Sequence, residues 1–160
     1  MPTKNVDPAQ LDLPQLGLFV GMAANERVLA RLAERGFAGL RTSHGFVVQH
    51  LLRGPQSVGQ LAALLEVTQQ AASKSIAELA RLGYVEDMRS EDARVRRLRL
   101  SARGRAAVRA TRACRGEIEA ELATAAGSAA LAQAKQVLLL ALEQLAASAA
   151  LRGRRVRPER

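Results

Sequence analysis

Aromatic residues are almost missing from this chain: its 160 residues include three Phe, one Tyr and no Trp. A protein that stacks unpaired bases on aromatic rings would have little to work with, so a nucleic-acid partner is expected to be duplex DNA rather than single-stranded RNA. Cysteine is reduced to Cys114, and a single thiol closes no internal disulfide. Long apolar runs are lacking too. The opening MPTKNVDPAQ has no apolar core of the kind a secretion signal carries, and the run VLLLAL at 137–142 falls far short of the roughly 18 residues of a membrane span. A cytoplasmic protein without a transmembrane segment is the expectation. Catalytic machinery is equally scarce. There is no glycine-rich phosphate loop, no Ser or Cys nucleophile beside a base in sequence, and no pair of carboxylates on one helix face in an apolar setting, so neither an enzyme nor a cofactor is expected. His44 and His50, the two histidines, are six apart on different faces of one helix with no carboxylate or Cys cluster beside them, which argues against a metal site.

What the chain does have is positive charge, unevenly placed. Lys and Arg number 24 against 15 acids, for a net charge of +9; eleven arginines and four acids lie in 81–115, and five arginines with one acid lie in the tail 152–160. The remainder is slightly acidic. A concentrated basic patch on a near-neutral body is the footprint of a polyanion binder, because Lys and Arg contacts to phosphate release condensed counterions. The densest part is SEDARVRRLRLSARGR at 90–105, with six arginines in part alternating with Val and Leu. The tail RGRRVRPER is too charged and too poor in apolar residues to pack, and is expected to be disordered.

Helical spacing dominates the rest. Residues 14–34 place Leu16, Phe19, Val20, Ala23, Leu29 and Leu32 at roughly helical intervals after Pro14, and Gly36 ends the segment. A second helix is expected over 43–52, capped by Thr42 or Ser43 and stopped by Gly54-Pro55. Ser57 caps a third, SVGQLAALLE, with Val58, Leu61, Ala62 and Leu65 on one stripe. Thr68 caps a fourth that runs to about Leu82, and Val67 sits in the tight turn between the two. Within the fourth helix Ala72, Ile76 and Leu79 face inward. Its outward set is Gln69, Gln70, Ala71, Ser73, Lys74 and Ala77: amides, a hydroxyl, one cation and small residues that let a backbone approach closely. A helix that enters a major groove needs such side chains, whereas an ordinary surface helix of so charged a protein would carry Glu and Arg. After Gly83 the chain reads as a β-hairpin, from Tyr84 and Val85 through a polar turn at 90–93 to Leu98 and Leu100 alternating with Arg97 and Arg99. A ribbon that is apolar inward and arginine-rich outward, directly after such a helix, fits a wing gripping a DNA backbone or minor groove.

These residues resemble the multiple-antibiotic-resistance regulator (MarR) family of winged helix-turn-helix transcription factors. The resemblance spans about 13–150 and is sharpest over 57–104. It rests on QLA at 60–62, LARLGYV at 79–85, Asp92-Ala93-Arg94 at a wing tip, and LSARG at 100–104 as the entry to the next helix. Two departures are visible: Ala93 stands where an arginine is common, and the wing turn lacks the usual proline and is about one residue shorter.

The resemblance implies a mostly α-helical fold with a small β wing. Residues 37–101 would be the winged helix-turn-helix, 13–36 and 102–151 the intertwined dimerisation helices, 1–12 an N-terminal arm and 152–160 the basic tail. A helix starting after Ser101 would run to about Ala126, followed by a last helix, AALAQAKQVLLLALEQLAASAAL, that is apolar on nearly all sides and requires cover that a monomer of this size lacks. The implied protein is a homodimeric regulator that binds a pseudo-palindromic operator in double-stranded DNA, commonly a repressor relieved by a small aromatic or anionic effector. DNA contact is expected from Ser57, Thr68, Gln69, Gln70, Ser73 and Lys74, and on the wing from Asp92, Arg94, Arg96 and Arg97. Phe19, Met22, His44 and Val48 are the candidates for an effector cleft. Cys114 is open to two readings, a small apolar filler or an oxidant sensor. The rival functions are a nucleic-acid-binding accessory protein without a regulatory role and a winged-helix protein-interaction adaptor.

Overall fold

The structure, a computed structural model, describes residues 7–88 and 96–145. After a single 3-10 turn at Pro8–Gln10 come helices α1 (Leu13–Glu34), α2 (Thr42–Leu51), α3 (Val58–Leu65) and α4 (Gln69–Arg81). Strands β1 (Val85–Met88) and β2 (Arg97–Leu100) follow, then helices α5 (Ala102–Ala126) and α6 (Ser128–Gln144). The wing-tip residues Asp92 and Arg94, the turn at 90–93 and the basic tail lie outside the described residues.

Side-chain caps set most of the helix starts. Asp12 accepts from Gln15 N–H at 2.9 Å to open α1, Thr68 from Ala71 N–H at 3.2 Å to open α4, and Ser101 from Gly104 N–H at 2.9 Å to open α5. At α3 the exchange is reciprocal: Ser57 Oγ accepts from Gln60 N–H at 3.2 Å, and the Gln60 side chain accepts from Ser57 N–H at 2.8 Å. Each such cap is worth about 1 kcal/mol. The start of α2 departs from expectation. Neither Thr42 nor Ser43 caps it; the preceding residue is Arg41, whose N–H donates to His44 Nδ1 at 3.2 Å. The Thr42 hydroxyl is taken up elsewhere, accepting from Asn25 Nδ2 of α1 at 2.6 Å.

The winged lobe has a continuous core. Val47 and Leu51 of α2, Leu61 and Leu65 of α3, Ala72, Ile76 and Leu79 of α4, and Val85, Leu98 and Leu100 of the two strands are all buried together around Tyr84. At about 1.5–3 kcal/mol for each large apolar side chain, this burial dominates the lobe's stability. The strands pair antiparallel, Val85 opposite Leu100 and Asp87 opposite Leu98, which turns Leu98 and Leu100 inward and Arg97 and Arg99 outward. Gln56 adds a short bridge on the other edge of β2, exchanging backbone hydrogen bonds with Leu98 at 3.1 and 2.8 Å.

A tight joint fixes the lobe to α5. Ser101 donates to Gly83 O at 2.6 Å, Ser101 N–H donates to Tyr84 O at 3.0 Å, and a Cβ on Gly104 would fall 2.1 Å from that same Tyr84 oxygen. Only glycine fits there, which explains why the LSARG stretch carries one. The Tyr84 hydroxyl donates to Ala38 O at 2.9 Å, and the Arg103 guanidinium lies 5.0 Å from the Tyr84 ring centre while donating to Gly36 O at 2.6 Å.

Elsewhere packing is thinner. The far half of α1 meets α5 through Val28, Leu32 and Cys114, flanked by Arg27, Arg31 and Arg35 opposite Glu117 and Glu121. These ion pairs are mostly exposed, so solvent screening keeps their contribution to stability small. Cys114 is fully buried in this seam, with Arg35 Nη1 at 3.1 Å from its sulfur. Helices α5 and α6 meet at a bend of 117°, and α6 buries none of its residues within this chain. Among the described residues, no single helix is long and apolar enough to cross a membrane.

Candidate nucleic-acid interface

Burial of Ala72, Ile76 and Leu79 at positions i, i+4 and i+7 fixes the rotation of α4, and therefore which residues it shows to solvent. Gln69, Gln70, Ser73, Lys74 and Ala77 all lie on the open face. The side chains are polar but uncharged apart from Lys74, and Ala71 and Ala77 keep the relief low. Such a surface can offer amide and hydroxyl groups to base edges while the helix backbone comes close.

The capping residues Ser57 and Thr68 stand at the starts of α3 and α4. Each hydroxyl oxygen accepts a backbone N–H, which leaves its O–H free to donate to an acceptor such as a phosphate oxygen. Gln69 lies beside the first of these starts, since a Cβ on Gly59 would stand 3.6 Å from Gln69 Nε2. The two helix starts thus sit together at one edge of the α4 face, where their unpaired amides favour negative charge.

On the wing, the arginines divide into paired and unpaired. Arg96 grips Asp87 with two hydrogen bonds, one of them Nη2 to Oδ2 at 2.9 Å, and Arg99 Nε donates to Glu86 Oε1 at 2.8 Å. The Arg96 guanidinium holds the Asp87 carboxyl below its ordinary range. Neither Arg97 on the wing nor Lys74 on α4 is ion-paired with a carboxylate among the described residues, so both charges are available to a phosphate. Arg96 must share or surrender Asp87 to do the same.

The expected effector residues are not brought together within one chain. Phe19 and Met22 lie on the exposed half of α1, at 55% and 52% exposure, while Val48 packs against the winged-lobe core. His44 is buried, with Nδ1 occupied by Arg41 N–H and Nε2 3.3 Å from Glu78 Oε2. None of the four lines a groove of about 440 Å³ between α1, α5 and α6, walled by Val28, Ile118, Leu122 and Leu138, with Arg115 and Lys135 beside them. Among the described residues, no three His, Cys, Asp or Glu side chains converge as metal ligands.

Three residues with a part in this region carry no signal in the sequence. Glu78 collects both His44 and the Arg41 guanidinium, and Asp87 engages Arg96. Glu78 and Asp87 look like ordinary surface acids when read in order, and Arg41 lies 37 residues from its partner.

Residues 38–97 match the model of the MarR family. No curated protein matches the chain. Among solved structures the chain is similar to a MarR family protein from Bacillus stearothermophilus, with a TM-score of 0.64, 18% identity, and coverage of 84% of this chain and 93% of that one. It is also similar to a mutant of MarR from E. coli, with a TM-score of 0.62, 18% identity, and coverage of 82% and 97%. A third likeness is to a mutant of MepR from S. aureus bound to an oligodeoxyribonucleotide, with a TM-score of 0.61, 17% identity, and coverage of 85% and 99%. At these identities the likeness is one of fold: the winged helix-turn-helix.

Proposed function

This chain belongs to the MarR family, and on that premise we propose that it is a homodimeric, sequence-specific DNA-binding regulator of transcription, a repressor relieved by a small-molecule effector. The observation that carries the reading is the open face of α4, where Gln69, Gln70, Ser73 and Lys74 stand clear of the core beside two helix starts and a basic wing. Gln70 and Ser73 read base edges; Lys74, Arg97 and the two cap hydroxyls hold the backbone. The likeness to a MepR mutant bound to an oligodeoxyribonucleotide favours DNA as the partner.

The dimer is supported by apolar surface. Leu13, Leu16, Leu18, Phe19 and Val20 near the start of α1, and Val137, Leu138, Leu139 and Leu140 on α6, are all at least 36% exposed in the single chain. A second copy covering them would present two α4 helices to half-sites about one DNA turn, roughly 34 Å, apart. Any effector site that unites Phe19 and Met22 with Val48 is one the dimer completes.

The test is selection of duplexes from a randomised pool by the purified protein, followed by titration of the enriched and scrambled duplexes over a range of salt. Enrichment of an inverted repeat bound much more tightly than its scrambled version is expected. Equal affinity for both would overturn the regulator in favour of an accessory nucleic-acid binder, and absence of binding to either would leave the adaptor reading.

A further inference from the structure

We propose that His44, Glu78 and Arg41 form a pH-responsive clamp that keeps the recognition helix α4 in its DNA-reading position near neutral pH and releases it in acid. The inference rests on the DNA-binding role of α4 stated above. His44 opens α2 and is 2% exposed. Its Nδ1 accepts from Arg41 N–H at 3.2 Å, which fixes the tautomer: the ring proton sits on Nε2, 3.3 Å from Glu78 Oε2 on α4. The Arg41 guanidinium donates to the other oxygen of the same carboxylate. Two links from the start of α2 therefore converge on one residue of the recognition helix, adjacent to Ala77 and one turn beyond Lys74.

A second proton on the ring has to go to Nδ1, where it would meet the Arg41 N–H donor to donor. The start of α2 has no other side-chain cap to replace the lost bond. The charged groups that face His44 are Glu78 from α4, which favours the cation, and Arg41 from its own helix start, which opposes it; α3 and β2 present none among the described residues. Burial adds to the opposition and is the largest influence, so the His44 pKa lies below its ordinary value. The sign follows. The fold favours neutral His44, so the clamp contributes its full stability above the ordinary histidine pKa of about 6.5 and loses it as pH falls through the lower folded value. Apparent affinity for a specific site falls with the fraction of molecules that remain clamped. Binding to arbitrary duplex depends on charge, and that charge only grows in acid.

The experiment uses the full chain, the duplex it enriches from a randomised pool and a scrambled duplex of the same length, titrated from about pH 7.5 to about pH 5. Affinity for the enriched duplex should fall by more than about twofold while the scrambled one changes less than about twofold. His44→Gln keeps an acceptor for the Arg41 N–H, as Gln does at this position of a capping box, but does not titrate, so its fall should shrink to less than about twofold. Glu78→Gln removes the group that favours the cation, so its fall should begin at lower pH. An unchanged pH response in His44→Gln overturns the clamp. Titration of the His44 ring by NMR in the DNA-free protein is an independent readout: a ring that titrates at or above the ordinary value also overturns it. Failure to enrich any duplex overturns the DNA reading instead, and leaves the ring titration to decide the clamp.

Discussion

The winged lobe and the long helices solve the problem of burial in opposite ways. Between Phe37 and Ser101 the chain encloses most of its large apolar residues: Leu61, Leu79 and Leu98 are at most 1% exposed, and Tyr84 at the centre is 1% exposed. In α1 and α6 the same residue types point outward, with Leu18 at 61% and Leu139 at 57%. The lobe is a self-sufficient core built from short elements, each too small to be stable alone. The helices form a scaffold whose apolar faces remain unsatisfied within one copy, as expected where stability depends on association.

The comparison breaks first at Leu61. Leu61→Ala should cost about 2–5 kcal/mol by leaving a cavity among α3, α4 and β2, and denaturant titration of the lobe's unfolding should return that loss at every protein concentration. Leu139→Glu should do the reverse, with little cost to a lone chain but loss of the dimer at micromolar concentration, read by sedimentation or light scattering. A Leu139→Glu protein that stays dimeric would remove α6 from the interface. Smaller effects sharpen the division inside the lobe. Gln70→Ala should weaken the enriched duplex by about 1–3 kcal/mol with little change on scrambled DNA, as paired titrations would reveal. Arg97→Ala should weaken both duplexes alike and reduce the slope of log affinity against log salt by about one unit. An Arg97→Ala change confined to the enriched duplex would make Arg97 a base reader, contrary to its expected role.

Much of the fold is legible in the sequence because local signals are strong. Ser57, Thr68 and Ser101 cap the helices their positions suggest, and the spacing of Ala72, Ile76 and Leu79 is enough by itself to set the rotation of α4. The alternation of Leu98 and Leu100 with Arg97 and Arg99 likewise sets the faces of β2. What stays hidden is pairing across sequence. The α2 start reads as a hydroxyl cap because Thr42 and Ser43 are good capping residues; Thr42 instead bonds Asn25 of another helix, and His44 takes over the cap. His44 reads as a cleft residue, yet its partner Glu78 is 34 positions away and nothing local marks it. Phe19 and Met22 lie exposed on α1, and whether a second copy covers them is a matter of association that sequence spacing does not encode.

The joint at Ser101 and Gly104 has a mechanical consequence. Because the α5 backbone rests directly on the Tyr84 carbonyl, the wing base and the start of α5 have no side-chain layer between them to absorb strain. Helix α5 has 25 residues, roughly 37 Å at about 1.5 Å per residue, so it works as a stiff lever with the lobe welded to one end. A tilt of about 5° set at its far end would swing the lobe by about 3 Å, close to the rise of one base pair in the target duplex. In the proposed dimer, register along DNA would thereby be tied to the angle at which two such levers cross.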